Sequence, residues 1–153
     1  MTTPTPLLSR ISLACEQLDV AIELFFAERS YVAALTLAGA AEEILGDALK
    51  AGGQSHALAL RFNLRQRALE RARFPKPVFE DFRNRQNYAR NAAKHMGERS
   101  RRHEDQYFRA DPQKAATDMI LRAMHNQKLL SIPETDQRSR FLAWHMASVY
   151  GTD

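Results

Sequence analysis

The stretch Tyr31-Val32-Ala33-Ala34-Leu35-Thr36-Leu37-Ala38-Gly39-Ala40-Ala41-Glu42-Glu43-Ile44-Leu45 decides the fold class. Tyr31, Leu35, Ala38, Glu42, Leu45 and Leu49 recur at steps of four and three. That spacing lines up one face of an α-helix. Ala33, Ala34, Ala38, Gly39, Ala40 and Ala41 make the same segment rich in small side chains, so another helix can approach closely. Ser30 is expected to cap this helix, and Gly52-Gly53 to stop it near Ala51. Glu42 interrupts the apolar seam, and a carboxylate there needs a partner because an unpaired buried charge is costly. It either sits at the rim of a tightly packed core or orients a cation from the fourth helix. Glu43 aligns with Thr36, Asp47 and Lys50 and reads as solvated.

Further helices flank this one. Leu7, Leu8, Ile11, Ala14, Cys15, Leu18, Ala21, Ile22 and Phe25 give a first helix over Pro6 to Glu28, after a frayed tail at residues 1–5. A third helix is expected from Ser55 to Arg73, ended by Phe74-Pro75-Lys76-Pro77. Pro77 is placed to begin a fourth that reaches Met96. Gly97 to Ala110 is a polar, Arg-rich connection. Asp111-Pro112 combines an N-cap with a first-turn proline and opens a fifth helix to Leu130. A last helix over Glu134 to Val149 carries Phe141, Leu142, Trp144, His145 and Met146. No strand or repeat stands out. The expectation is an all-α, up-down helical bundle of five to six helices, one domain over residues 6–150.

Composition excludes several classes. At 153 residues, 44% hydrophobic and 26% charged, the chain suits one globular domain. A single cysteine, Cys15, leaves no internal disulfide and no zinc or redox pair, and it reads as a small buried hydrophobe. His56, His103, His125 and His145 have no ligand partners at metal spacing, so no metal or cofactor is expected. No apolar run approaches the roughly 18 residues of a membrane span. The opening Met-Thr-Thr-Pro-Thr-Pro lacks the basic and apolar regions of a signal peptide, which predicts a cytoplasmic protein without membrane contact. Charge is uneven. Residues 61–109 hold 14 Lys/Arg against 6 Asp/Glu, and the remainder 8 against 12. A basic middle suits a polyanionic partner and equally suits solvated helix faces.

The fourth helix carries two faces. Val78, Phe79, Phe82, Ala89, Ala93 and Met96 form the apolar one; Asn84, Tyr88, Asn91 and His95 form a polar stripe roughly opposite. Arg90 lies between them. Five helical steps separate Arg90 from His95 by about 140°. A long Arg side chain, a helix irregularity or a second copy of the helix is needed to bring them together, and a two-fold homodimer is the economical solution.

On these residues the chain resembles the HEPN superfamily of small helical-bundle proteins, over about residues 7–130. The hallmark is an Arg, a polar residue, and a His after four to six intervening residues. It reads here as Arg90-Asn91-Ala92-Ala93-Lys94-His95. The alanine-rich, Glu-bearing second helix looks like that of many such domains. At the position two residues after the His, where toxins paired with a nucleotidyltransferase antitoxin commonly carry Tyr, this chain has Gly97. That pairing is not adopted.

The resemblance implies a metal-independent endoribonuclease, or a nucleotide-binding relative without activity, in a stress, toxin–antitoxin or phage-defence role. Arg90, Asn91 and His95 would be catalytic. His95 suits proton transfer because an imidazole titrates near neutrality. Arg90 suits the charge of a phosphorane. Asn91 would fix the imidazole or bond a phosphate oxygen. Glu42 would set the pose of Arg90, Lys94 would neutralise a flanking phosphate, and Tyr88 would stack on a base or serve the dimer. Arg99, Arg101 and Arg102 would track the RNA backbone. The implied partners are RNA or a nucleotide, a second copy of the chain, and an antitoxin or other protein. Two rivals remain: a non-catalytic interaction module holding a nucleotide or protein, and a DNA binder using the Arg-rich middle.

Overall fold

A computed structural model of the chain describes residues 6–28, 30–94 and 107–151. The tail expected at residues 1–5 lies outside them, as do His95, Arg99, Arg101, Arg102 and His103. The described residues form an all-α helical bundle: α1 (Arg10–Glu23), a π-helical turn (Leu24–Glu28), α2 (Tyr31–Ala51), α3 (Ala57–Arg71), α4 (Phe79–Lys94), α5 (Pro112–Leu129) and α6 (Asp136–Tyr150). No described helix is long and apolar enough to cross a membrane.

The helix ends follow local chemistry and correct some expected boundaries. α1 begins at Arg10 rather than Pro6, because the Ser9 hydroxyl caps it by accepting from the Ser12 amide at 3.3 Å. Leu7 and Leu8 precede the helix and are exposed, and Ile11 is partly so. Ser30 occupies the cap position of α2 without a side-chain bond. The fourth helix starts at Phe79, two residues after Pro77, and Val78 is exposed rather than on the apolar face. Asp111 caps α5 as expected, its carboxylate accepting from the Lys114 amide at 3.0 Å.

Three of the described helices end alike. Beyond α2, the Gln54 amide donates to Leu49 O and the Gly53 amide to Lys50 O, with Gly53 at φ +73°. This is the Schellman pattern, which needs a left-handed residue. Arg73 after α3 and Ser131 after α5 fill that position at φ 58° and 57°. Neither is glycine, so both ends carry some backbone strain.

α2 is the central helix and packs most extensively on α5 and α1. Ala14, Leu18, Ala21 and Ile22 from α1, Ala34, Leu35, Ala38, Ala41 and Leu45 from α2, and Ala116, Met119, Ile120 and Ala123 from α5 form the core. The alanines let these helices pack closely. Cys15 is half-buried rather than buried.

The last helix closes one end of this core. Phe25 meets Tyr31, Phe141 and Trp144 edge-on at centroid distances of 5.0, 5.3 and 4.9 Å. Such edge-to-face contacts add to area burial. Arg138, nearly inaccessible, lies 2.8 Å from Asp19 and donates to Cys15 O and Pro133 O. α3 and α4 are peripheral. They meet through Phe62, which contacts Phe79 and Phe82.

Candidate functional site

One face of α2 builds the site. Gly39, Glu42 and Gly46 stand at steps of three and four, so they share it. Gly39 lies under the Arg90 side chain from α4. A Cβ added there would meet Arg90 Cδ at 2.5 Å and Cγ at 3.0 Å. The Arg90 stem therefore lies directly on the α2 backbone. Its Nη1 donates to Gly39 O at 3.4 Å and faces Glu43 at 3.6 Å and Glu42 at 3.9 Å. Its Nε donates to Asn91 Oδ1 at 3.4 Å. The Arg90 side chain is only 15% exposed.

Glu42 does have the partner its place on the seam demands. The closest is Arg122 from α5, whose Nη2 donates to Glu42 Oε1 at 2.7 Å. Arg90, the cation from the fourth helix, is the second and more distant one. Arg122 also donates through Nη1 to Asn87 Oδ1 at 2.8 Å. Arg122 and Glu42 are both buried. Charge-assisted bonds of this length in a dry setting are strong. Arg122 Nε has no hydrogen-bond partner among the described residues. The fully buried Asn126 amide donates to Glu42 O at 3.0 Å and accepts from the Ala57 amide at 2.7 Å. Asn126 thereby ties the start of α3 to α2 and α5.

Above this network lies a groove of about 480 Å³ between α2, α4 and the start of α3. Glu42, Glu43 and Asp47 line it against Lys50, Arg83, Arg90 and Arg122, with His56, Asn84, Asn87 and Asn91 between them. Asp47 is occupied by Lys50 at 2.6 Å. Burial, reinforced by the nearby Lys50 charge, pushes the His56 imidazole below its ordinary value. It is therefore mainly neutral at neutral pH, with one ring nitrogen able to donate a hydrogen bond and the other to accept one. Among the described residues no cluster of three His, Cys, Asp or Glu is arranged to hold a metal ion.

The structure thus gathers Arg90, Asn91 and Glu42 in one place. Glu43, expected to be solvated, is 55% exposed at its side chain and also reaches Arg90. Lys94 is exposed at the end of α4. Tyr88 is 52% exposed and opens onto a different hollow, between α4 and α5.

Arg122, Asn87 and Asn126 do not emerge from the sequence pattern as read above. A signal for Arg122 is nevertheless present. Ala115, Met119, Arg122 and Asn126 step by four, three and four along α5. An Arg on such a stripe is the natural counterpart of a Glu on the facing one.

No family model, no curated protein and no solved structure matches this chain.

Proposed function

We propose that this chain is an HEPN-like RNA-binding protein that acts as a metal-independent endoribonuclease, with Arg90 and His95 at a cleft between two copies. The observation that supports it most is the seating of Arg90. Its stem rests on Gly39 and its head is held beside Glu42, Glu43 and Asn91 at the edge of a groove. A guanidinium held in one pose is suited to bind charge that develops on a phosphorane. His95 follows Lys94 in the chain.

In this reading the 2′-hydroxyl attacks the adjacent phosphorus and loses its proton to one imidazole. The bond to the 5′-oxygen breaks, and a second imidazole protonates that leaving oxygen. The products are a 2′,3′-cyclic phosphate and a 5′-hydroxyl. A two-fold pair supplies both imidazoles and both Arg90 side chains. Asn84 and Asn91, both exposed on α4, offer a surface for such pairing.

The test is incubation of the protein with mixed-sequence single-stranded RNA in EDTA, beside His95→Ala and Arg90→Ala. Cyclic-phosphate ends from the wild type alone support the reading. Equal cleavage by all three removes His95 and Arg90 from the chemistry.

One observation favours a second reading, a non-catalytic module that holds RNA, a nucleotide or a protein. Arg90 is mostly covered, and its Nη1 already faces Gly39 O and two carboxylates. RNA bound but uncleaved, with affinity unaffected by His95→Ala, would decide for that module.

A further inference from the structure

Arg90 lines two hollows. One is the α2–α4 groove; the other, of about 220 Å³, opens between α4 and the start of α5. Arg85, Tyr88, Arg109 and Lys114 line the second hollow. Arg85, Arg109 and Lys114 are exposed, and none forms an ion pair among the described residues. Exposed Lys50 and Arg83 pair with Asp47 and Glu80, whereas Arg65, Arg67 and Arg71 on α3 are, like the three cleft cations, without an ion pair among the described residues. What sets the cleft apart is that its cations converge on one hollow beside Tyr88.

Two carboxylates share the hollow. Asp111 is committed to the α5 cap through the Lys114 amide. Asp118 is exposed and forms no ion pair among the described residues. Neither is within ion-pair distance of the three cations, and with Arg90 the lining holds four cations against these two carboxylates, so the hollow stays net positive.

Tyr88 stands one helical turn from Arg85, and a shallower hollow formed with Asn84 extends from the pair. Phe108, 44% exposed, directly precedes Arg109. Unpaired cations interleaved with an exposed ring are what a single-stranded polynucleotide needs: charge to follow its phosphates and a face on which an unstacked base can lie. A duplex, with its bases already stacked, has no use for the ring.

We propose that this α4–α5 cleft is a binding surface for single-stranded RNA, with Arg85, Arg109 and Lys114 on consecutive phosphates and Tyr88 beneath a base; this rests on the reading of the chain as an RNA-binding protein. Because Arg90 borders both hollows, a strand lying in the cleft leads to the proposed site.

The test is fluorescence anisotropy with a labelled, mixed-sequence, 2′-O-methylated single strand, which cannot be cleaved through its 2′-oxygen. Binding is measured across a salt series. The triple variant Arg85→Ala/Arg109→Ala/Lys114→Ala should bind more weakly. It should also flatten the slope of log affinity against log salt by about 2, roughly 0.7 for each phosphate left without its cation. Tyr88→Ala should bind at least about fivefold more weakly, whereas Tyr88→Phe keeps the ring and the affinity. Circular dichroism should find all these variants folded, since the replaced side chains are exposed.

Arg67→Ala/Arg71→Ala on α3 removes similar charge outside the cleft and should cost much less. Equal losses from the α3 pair, unchanged binding by the cleft variants, or tighter binding of duplex RNA would each overturn the cleft while leaving RNA binding intact. A wild type that binds no RNA would overturn the functional reading itself, and the cleft with it.

Discussion

Gly39 and Arg90 occupy one space: the hydrogen atom of the glycine leaves room that the arginine stem fills, and a methyl group there would stand 2.5 Å from Arg90 Cδ. The position of the guanidinium is therefore set by the absence of a side chain on another helix. Its hydrogen bond to Gly39 O, at 3.4 Å, depends on the same close approach.

Gly39→Ala separates site geometry from stability. Alanine is favoured over glycine in a helix interior by about 1 kcal/mol, whereas over-packing costs about 1–3 kcal/mol. The two nearly cancel because the Arg90 stem can swing away. We expect a melting temperature within a few degrees of wild type and loss of most Arg90-dependent RNA cleavage or binding. Wild-type activity in Gly39→Ala would show that the seating of Arg90 is immaterial.

Glu42 and Arg122 form a buried pair whose loss bears on stability. Among the described residues, Arg122→Met leaves the buried Glu42 carboxylate with Arg90, at 3.9 Å, as its one remaining cation. Removing one member of a buried pair costs about 3–5 kcal/mol, whereas replacing both with apolar groups is often neutral. Urea titrations should therefore place Glu42→Leu/Arg122→Met closer to wild type than Arg122→Met is. A double variant weaker than both single variants would contradict this account.

Stability should depend on pH through His56. Burial and Lys50 hold its folded value below the ordinary 6.5, with Arg122 acting in the same direction and Glu42 and Asp47 opposing. The unfolded chain then binds the proton more readily. The contribution of His56 is fully present above pH 6.5 and is lost as pH falls through the depressed folded value. His125 is shifted the same way, chiefly by desolvation. Thermal melts from pH 7.5 downward should decline, and His56→Gln should flatten part of that decline. A wild-type profile level across the window would contradict the shift.

Much of the fold was legible in the sequence because its signals are local. The step of four and three through Leu35, Ala38, Leu45 and Leu49 needs only the chain itself, and Gly52-Gly53 and Asp111-Pro112 mark ends by their own conformational preferences. Glu42 could be recognised as needing a partner, because a carboxylate on an apolar seam is a local contradiction. Its partner is Arg122, 80 residues away, and that link depends on how three helices pack. Helix geometry also placed Arg90 between the two faces of α4. What it could not supply was the close approach at Gly39. That requires the distance between two helices, which no periodicity within either one encodes.

The π-helical turn at Leu24–Glu28 has a consequence of another kind. It holds one more residue per turn than the helix before it, and the extra residue lets both neighbours Phe25 and Phe26 touch Phe141 and Trp144. Side-chain replacement there alters the quality of the aromatic contact. Loss of one residue would instead restore an ordinary helical turn and remove the widening that presents both rings to α6. This corner is thus tolerant of spelling and intolerant of length: its meaning lies in how many residues it counts, more than in which ones they are.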